Sequence, residues 1–137
     1  MSAAVSEYHD DIIYPNTAAF IFVHLAPLAA IWTGVTTTSV LLAVALYVAR
    51  MFGITAGYHR YSSHRSLKTS RVMQFVFAFL AMSSTQKSVL WWAALHRHHH
   101  RHSDQEDDVH SPLHRGFFYS HVGWIFDKKH DSTRLDE

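Results

Sequence analysis

The sequence predicts an all-α membrane protein, in which a transmembrane helical hairpin is followed by cytosolic and interfacial helices that carry histidine boxes. Three observations predict this class. Two long apolar segments lie in the first half of the 137-residue chain, and most of its thirteen histidines lie in the second half. Lysine and arginine are absent before Arg50 and frequent after it.

Composition restricts the kinds of protein that this chain can be. Its length suits one domain, residues 1–137. The formal net charge of +1 lacks the strongly basic character of a nucleic-acid-binding protein. The absence of cysteine excludes disulfides, thiolate-bound zinc and iron–sulfur clusters built from this chain's own residues. No cleavable signal peptide is predicted, because the first residues carry acidic rather than basic side chains.

The first apolar segment, residues 17–35, is predicted to form transmembrane helix 1. It carries no Asp, Glu, Lys or Arg. At about 1.5 Å per residue it nearly crosses a hydrocarbon core of about 30 Å. Pro27 is expected to kink it, which membrane helices tolerate where neighbouring groups satisfy the freed carbonyl.

Residues 38–58 are predicted to form transmembrane helix 2, which leaves only residues 35–38 as a tight turn of the hairpin. Arg50 interrupts this segment and is expected to reach the interface or to pair. Trp32 and Tyr58 lie near the expected interfaces, where aromatic side chains are enriched. The alternative is that both segments are buried helices of a soluble protein.

The distribution of basic residues predicts the orientation of the hairpin. The side that carries most Lys and Arg is expected to be cytoplasmic, and the segment after helix 2 contains Arg60, Arg65, Lys68 and Arg71. A hairpin returns to the side on which it starts. The sequence therefore predicts a multi-pass integral membrane protein with both termini and residues 59–137 in the cytoplasm.

A third apolar run, residues 72–82, is too short to span a bilayer. It is predicted to form an interfacial or re-entrant helix. The alternative is a core helix packed under the histidine region. Further along the chain, Pro112 and Gly116 mark turns.

The first histidine box, His59 to His64, places two imidazoles five residues apart. On an α-helix of about 3.6 residues per turn, this spacing separates the two side chains by roughly 140°. Both rings therefore cannot face one metal from an unbroken α-helix. Either each ring binds a different metal, or the helix breaks at Ser62 and Ser63.

The second box lies in the string HRHHHRH, which holds five histidines in seven positions. His96, His99 and His100 occupy positions i, i+3 and i+4, which share one helix face. Such a face can present neutral imidazoles to iron, zinc or copper. His98 and His102 point elsewhere and are expected to be solvated or to support the site. The alternative for the whole string is adventitious metal binding or a pH-dependent basic surface.

From about residue 47 to residue 129 the chain resembles the membrane-bound acyl-CoA (delta-9 type) fatty acid desaturases. The strings that carry the resemblance are GITAGYHRYSSHRSLKTSR, WWAALHRHHHRHSD and HSPLHRGFFYSHVGW. They include two of that family's three histidine boxes in the expected order. The resemblance implies that the ligands of a di-iron centre include His59, His64, His96, His99 and His100.

The resemblance implies roles for other residues too. Trp92 matches a tryptophan beside the bend of the family's acyl tunnel. Val109 stands where the family usually has proline. Residues that match a stretch supporting the site include Asp104, Asp108, His110 and His121, together with Gly116, Ser120, Gly123 and Trp124.

The resemblance implies that the protein is an O2-dependent fatty acyl desaturase, which places a cis double bond in an acyl-CoA or similar acyl thioester. The implied partners are membrane lipid and an electron donor, either cytochrome b5 or ferredoxin with its reductase. No catalytic residue separate from the metal ligands is implied. The four basic residues after helix 2 are expected to meet the phosphates of CoA or, alternatively, anionic lipid.

The number of matched ligands leaves the predicted centre incomplete. Two irons with three protein ligands each need about six, and the boxes provide five. The family's third box lies further downstream. The chain is therefore expected to be a partial desaturase domain, an N-terminal half that is inactive alone. Three explanations stay open: a truncated reading frame, a fragment of a longer chain, or one half of a split enzyme that pairs with a separate C-terminal half. The alternatives are another membrane di-iron oxygenase, such as a hydroxylase, and a non-catalytic metal-binding remnant in the membrane.

Overall fold

A computed structural model describes residues 14–130, with side chains from residue 17 onward. No β-strand lies within this range, which confirms the predicted all-α class for the described residues. The α-helices, in chain order, are α1 (Tyr14–Leu25), α2 (Ala30–Thr33), α3 (Thr37–Phe52), α4 (Arg71–Met82), α5 (Val89–Arg101) and α6 (Pro112–His121). A π-helix (Gly53–Ser63) continues α3, and short 3₁₀ turns cover Ala26–Ala29, Gly123–Phe126 and Lys128–His130.

The described residues form two compact units. The first contains residues 14–34 and 102–130, and the second contains residues 35–101. Both predicted histidine boxes belong to the second unit. The two predicted transmembrane segments belong to different units, so their arrangement as a hairpin stays a prediction.

The first apolar segment is helical but not continuous. Helix α1 ends at Leu25, a 3₁₀ turn contains Pro27, and α2 then ends at Thr33. Proline lacks the N–H that an α-helical hydrogen bond needs, so the break at this point follows from the sequence. Gly34 ends α2 with a φ of 75° and donates its N–H to the Ala30 carbonyl at 2.9 Å.

The second apolar segment forms one helix that is longer than predicted. Thr36 and Ser39 cap its start through reciprocal hydrogen bonds of 3.1 Å. The helix then runs over Thr37–Ser63, 27 residues rather than the predicted 38–58. Its most apolar 18-residue window has a mean hydropathy of 1.8, and it is the one helix among the described residues that is long and apolar enough to span a membrane.

This long helix exposes its apolar side chains instead of burying them. Only 11% of its apolar window is buried within the described structure. Side chains that are at least half exposed include Leu41, Leu42, Val44, Leu46 and Val48. A core helix would be covered by its own chain, so the described structure does not support the soluble alternative for this segment.

Helix α4 packs against the π-helix through two glycines. A Cβ at Gly53 would lie 2.6 Å from the Leu80 Cβ, and a Cβ at Gly57 would lie 2.7 Å from the Phe77 Cβ. Any larger residue would therefore separate the helices. The predicted helix over 72–82 is confirmed as α4, and whether it lies at a bilayer interface stays a prediction.

Tyr58, at the end of the second segment, is covered by the chain's own residues, and its position near a bilayer interface stays a prediction. Its side chain is fully buried, at 0% exposure. Its hydroxyl donates a hydrogen bond of 2.7 Å to the Lys87 carbonyl, in the loop that leads into α5. Tyr58 therefore joins the π-helix to the start of α5.

In the first unit, Pro112 begins helix α6 instead of marking a turn, whereas Gly116 breaks the helix as the sequence predicted. Ser111 accepts a hydrogen bond from the Leu113 N–H at 3.3 Å, with Pro112 in the first turn. Gly116 interrupts the helix with φ 75° and ψ 168°, a conformation that suits glycine.

A polar network that the sequence did not reveal follows this interruption. Arg115 forms an ion pair of 3.2 Å with Asp127, and the Tyr119 hydroxyl donates to the same carboxylate. Burial and the hydrogen bond to Asp127 raise the pKa of Tyr119. Burial alone would raise the pKa of the Asp127 carboxyl, but hydrogen bonds from Tyr119 and the Lys129 N–H outweigh it and lower that pKa.

Candidate metal centre

The π-helix resolves the geometric problem of the first histidine box. The His64 N–H donates to the His59 carbonyl at 3.1 Å, a hydrogen bond that spans five residues. A helix with i to i+5 hydrogen bonds places residues five apart one turn from each other. The two rings therefore lie on the same side, with centroids 4.5 Å apart. The expectation that these rings must diverge or follow a helix break was wrong, because it assumed α-helical geometry.

Helix α5 brings two histidines of the second box to the same place. His96 and His100 lie one α-helical turn apart, and their Nε2 atoms are 3.0 Å from each other. The His96 Nε2 also lies 3.3 Å from the His64 Nε2. One ring nitrogen from each of four histidines lies within 4.8 Å of the others, namely His59, His64, His96 and His100. We call this group the four-histidine cluster.

The spacing of these nitrogens fits the coordination shell of a transition metal. For a metal–nitrogen distance of about 2.1 Å, adjacent ligand nitrogens are about 3.0 Å apart in an octahedron and about 3.4 Å apart in a tetrahedron. The two short Nε2–Nε2 distances of 3.0 and 3.3 Å fall at these values. Four imidazoles, with no carboxylate in the cluster, suit iron, zinc, copper or nickel. The cluster can therefore hold one such ion.

The other histidines of HRHHHRH lie outside the cluster. The His99 ring centroid is 6.4 Å from that of His96 and 5.5 Å from that of His100. The structure thus brings together four of the five predicted ligands, and His99 is the fifth. His98 is buried, which excludes the solvated alternative for this residue, and its expected support of the site stays a prediction.

The charge state of α5 favours metal binding. Burial, followed by the neighbouring rings with His100 first among them, lowers the pKa of the His96 imidazole to about 3. Partial desolvation and the adjacent His64 ring lower the pKa of His100 as well. Metals bind the neutral imidazole, so both rings are ready for coordination at neutral pH.

Trp92 lies against the cluster. Its indole stacks on the His96 ring, with centroids 4.7 Å apart and planes 22° from parallel. The indole Nε1–H donates to the Gln86 Oε1 at 3.3 Å, a hydrogen bond to the loop that precedes α5. The predicted contact of Trp92 with an acyl chain stays a prediction.

The residues predicted to support the site organise a loop of the first unit. The Asp108 carboxylate accepts hydrogen bonds from the Asp104 N–H at 2.8 Å and the His110 N–H at 3.3 Å. Asp104 has a φ of 61° and accepts a hydrogen bond from Ser111 at 3.0 Å. His121 is exposed and stacks on Phe117, with ring centroids 5.5 Å apart. The contacts of Asp104 and Asp108 stabilise the loop, the His121 contact lies within α6, and a role of any of these residues toward a metal stays a prediction.

Contacts of three residues in or beside the elements that carry the cluster were not identified from the sequence. Gly57 allows the close approach of α4, Tyr58 binds the α5 loop, and Ser63 donates to the Tyr58 carbonyl at 2.8 Å. The pair Gly53 and Gly57 has the spacing of the small-residue motif of packed membrane helices, which was the available signal. No comparable signal marks Ser63.

The chain is similar to known proteins over most of its length. Residues 31–132 match the sequence model of a family described as fatty acid desaturase. Acyl-CoA Delta(11) desaturase from Choristoneura rosaceana is 39% identical over 126 residues, which is 90% of this chain. Delta(9)-fatty-acid desaturase fat-7 from Caenorhabditis elegans is 36% identical over 130 residues, 93% of this chain.

These relatives are much longer than the segment that they share with this chain. The matched region covers 37% of the Choristoneura protein and 38% of the Caenorhabditis protein. Acyl-CoA 5-desaturase AL21 from Anemone leveillei is 39% identical over 90 residues, 65% of this chain and 28% of its own length.

Proposed function

The chain belongs to the fatty acid desaturase family, and from this premise we propose that it supplies histidine ligands to a di-iron centre that desaturates a fatty acyl thioester. When bound, iron supplies the O2-dependent oxidation that takes two hydrogens from an unactivated pair of methylenes, which side chains alone cannot do. The observation that carries the proposal is the four-histidine cluster, because histidines 32 or more residues apart in sequence meet at metal-coordination distances.

The residues of the second unit have distinct roles in this proposal. His59 and His64 present ligand nitrogens from the π-helix, while His96 and His100 present them from α5. His99 is the fifth proposed ligand and belongs to a second metal position. Trp92 covers one face of His96, which keeps water from that ring and lines the path of the acyl chain.

The four-histidine cluster contains fewer ligands than two irons require. With about three protein ligands per iron, a pair needs about six, and the proposed set contains five. We infer that the remaining ligands come from sequence that corresponds to the part of the relatives outside the matched region. On this basis the 137-residue chain does not desaturate acyl chains alone.

The environment proposed for this centre is the cytoplasmic face of a membrane. The exposed apolar helix Thr37–Ser63 spans the bilayer and carries the first box at its end. The acyl-CoA for which the Choristoneura and Anemone relatives are named is the proposed substrate class, and electrons come from cytochrome b5 or ferredoxin with its reductase. The basic residues after the span are all exposed and bind CoA phosphates or anionic lipid, namely Arg60, Arg65, Lys68 and Arg71.

Titration of the detergent-solubilised chain with Co²⁺ tests the cluster directly. We expect one tight site per chain, seen as visible absorption that saturates at one equivalent. His96→Ala removes the nitrogen that contacts two others and should weaken binding at least tenfold. His24→Ala is the matched control, since His24 lies in α1 outside the cluster, and it should bind as the wild type does.

Iron content and products test the rest of the proposal. The chain incubated with Fe²⁺, O2, a reductant system and stearoyl-CoA should yield no double bond and fewer than two irons per chain. Two irons per chain together with an alkene product would contradict the proposed need for further ligands. An alcohol product would instead support a hydroxylase, and wild-type cobalt binding by the His96 variant would refute the cluster.

A further inference from the structure

The wide turn between the two histidines of the first box needs groups that hold it open. In an α-helix the His64 N–H would pair with the Arg60 carbonyl, but here it pairs with the His59 carbonyl. The Arg60 carbonyl instead accepts from the Ser66 N–H at 3.0 Å and from the Ser66 hydroxyl at 3.1 Å. Ser66 therefore takes the place that the His64 N–H would have at the Arg60 carbonyl in an α-helix.

A second hydroxyl supports the same turn from inside the protein. Ser63 donates to the Tyr58 carbonyl at 2.8 Å, and both side chains are buried, at 5% and 0% exposure. A serine in an α-helix reaches back three or four residues to a carbonyl, whereas Ser63 reaches back five. This contact is available because the turn is wide, so it favours the π-helix over the α-helix.

Tyr58 links this turn to the helix that carries the second box. Tyr58 accepts from Ser63 through its carbonyl and donates through its hydroxyl to the Lys87 carbonyl, two residues before α5 begins. A shift of this turn would therefore move the first box relative to the helix that carries His96 and His100.

We propose that Ser63 and Ser66 are positioning residues that hold the π turn and, through it, set His64 at coordination distance from His96. The inference builds on the proposed metal centre. Loss of the Ser63 hydroxyl removes a hydrogen-bond donor from the Tyr58 carbonyl. It also removes the contact that favours the wide turn. The turn then tightens toward α-helical geometry, and the His64 nitrogen moves away from its 3.3 Å contact with the His96 nitrogen.

Cobalt binding by serine variants of the solubilised chain tests this role. Ser63→Ala should lower Co²⁺ affinity about tenfold and change the visible spectrum, since one nitrogen leaves the coordination shell. Ser66→Ala, at an exposed site, should lower affinity about threefold in the same direction. Ser63→Thr restores a hydroxyl and should recover most of the affinity. Ser62→Ala is the control, because the contact of Ser62 with Arg97 uses its backbone carbonyl, which alanine retains.

Hydrogen exchange of the metal-free chain separates this inference from the proposed function. The His64 amide should exchange at least tenfold faster in Ser63→Ala than in the wild type, with no change in Ser62→Ala. Unchanged exchange together with an unchanged cobalt spectrum in both the Ser63 and Ser66 variants would overturn the inference. If the wild type binds no cobalt, the metal proposal fails, and the exchange of His64 then decides whether the serines hold the turn. If Ser63→Ala does not fold, as judged by the loss of its helical circular dichroism signal, the cobalt binding and His64 exchange of Ser66→Ala test the inference instead.

Discussion

His96 is the centre of the four-histidine cluster at the scale of single residues. Its Nε2 atom contacts the Nε2 atoms of both His64 and His100, and its ring stacks on the Trp92 indole. These contacts also determine its protonation. An imidazole surrounded by other imidazoles and partly removed from water is a poor base, which keeps its nitrogen available to a metal.

The pKa of His96 predicts how the stability of the metal-free chain depends on pH. The folded-state pKa is about 3, whereas an unfolded histidine titrates near its ordinary value of about 6.5. Between these values the unfolded state binds the proton and the folded state does not. The free energy of unfolding therefore falls as the pH is lowered from about 6.5 toward 3, and is unaffected by His96 above that window.

The measurement is the unfolding midpoint of the chelator-treated chain from pH 7 to pH 4. His96→Gln, which does not titrate, should show a shallower decline than the wild type over this range. His24→Gln serves as the control and should follow the wild-type curve. Parallel curves for the His96 variant and the wild type would mean that His96 titrates normally in the folded chain.

At the scale of elements, the sequence predicted where helices form but did not predict that residues 53–63 form a π-helix instead of an α-helix. Apolar runs predicted α4 and the segment now seen as Thr37–Ser63, and Pro27 predicted the break between α1 and α2. These features depend on local chemistry, which the sequence contains. The π-helix has local hydroxyl contacts from Ser63 and Ser66, which hydropathy does not reveal. It also has contacts with residues far along the chain, Lys87 and Phe77. A periodicity that assumes an α-helix could not place His59 and His64 together.

Gly57 offers a test of how the packing of α4 supports the cluster. Gly57→Ala places a methyl 2.7 Å from the Phe77 Cβ, so α4 and the π-helix must separate. We expect a loss of stability of about 1–3 kcal/mol, as for other overpacked sites. The variant should also have a changed Co²⁺ spectrum, because the π-helix carries His59.

Gly34→Ala is the comparison for this prediction. A methyl at Gly34 meets no atom within 4 Å, but the φ of 75° strains any other residue by about 1–2 kcal/mol. Its stability should therefore fall by a similar amount while its Co²⁺ spectrum stays that of the wild type. Equal spectra for both variants would show that α4 packing does not position the cluster.

At the scale of the whole molecule, sequence and structure agree on where the apolar surface lies. The exposed side chains of Thr37–Ser63 form a surface that water does not favour, and the histidines follow at its end. The sequence identified this division of the chain from charge and hydropathy alone. It did not identify the ends of the long helix, because the apolar run stops at Tyr58 while the helix continues through five more polar positions.

The proposed orientation can be measured with single cysteines, because the chain contains none of its own. Val35→Cys and Lys68→Cys flank the long helix at exposed positions. A membrane-impermeant maleimide should label Lys68→Cys from the cytoplasmic side and Val35→Cys from the opposite side. Labelling of both cysteines from one side would show that Thr37–Ser63 does not cross the bilayer.

The i to i+5 hydrogen bond between His59 and His64 makes the length of the first box and the shape of its helix interdependent. Deleting Ser62 would leave the two histidines four residues apart, and an ordinary α-helix brings that spacing to one face. Adding a residue would separate them in either kind of helix. The first box therefore tolerates a change in length in one direction only, and a loss of one residue there would exchange one workable geometry for another.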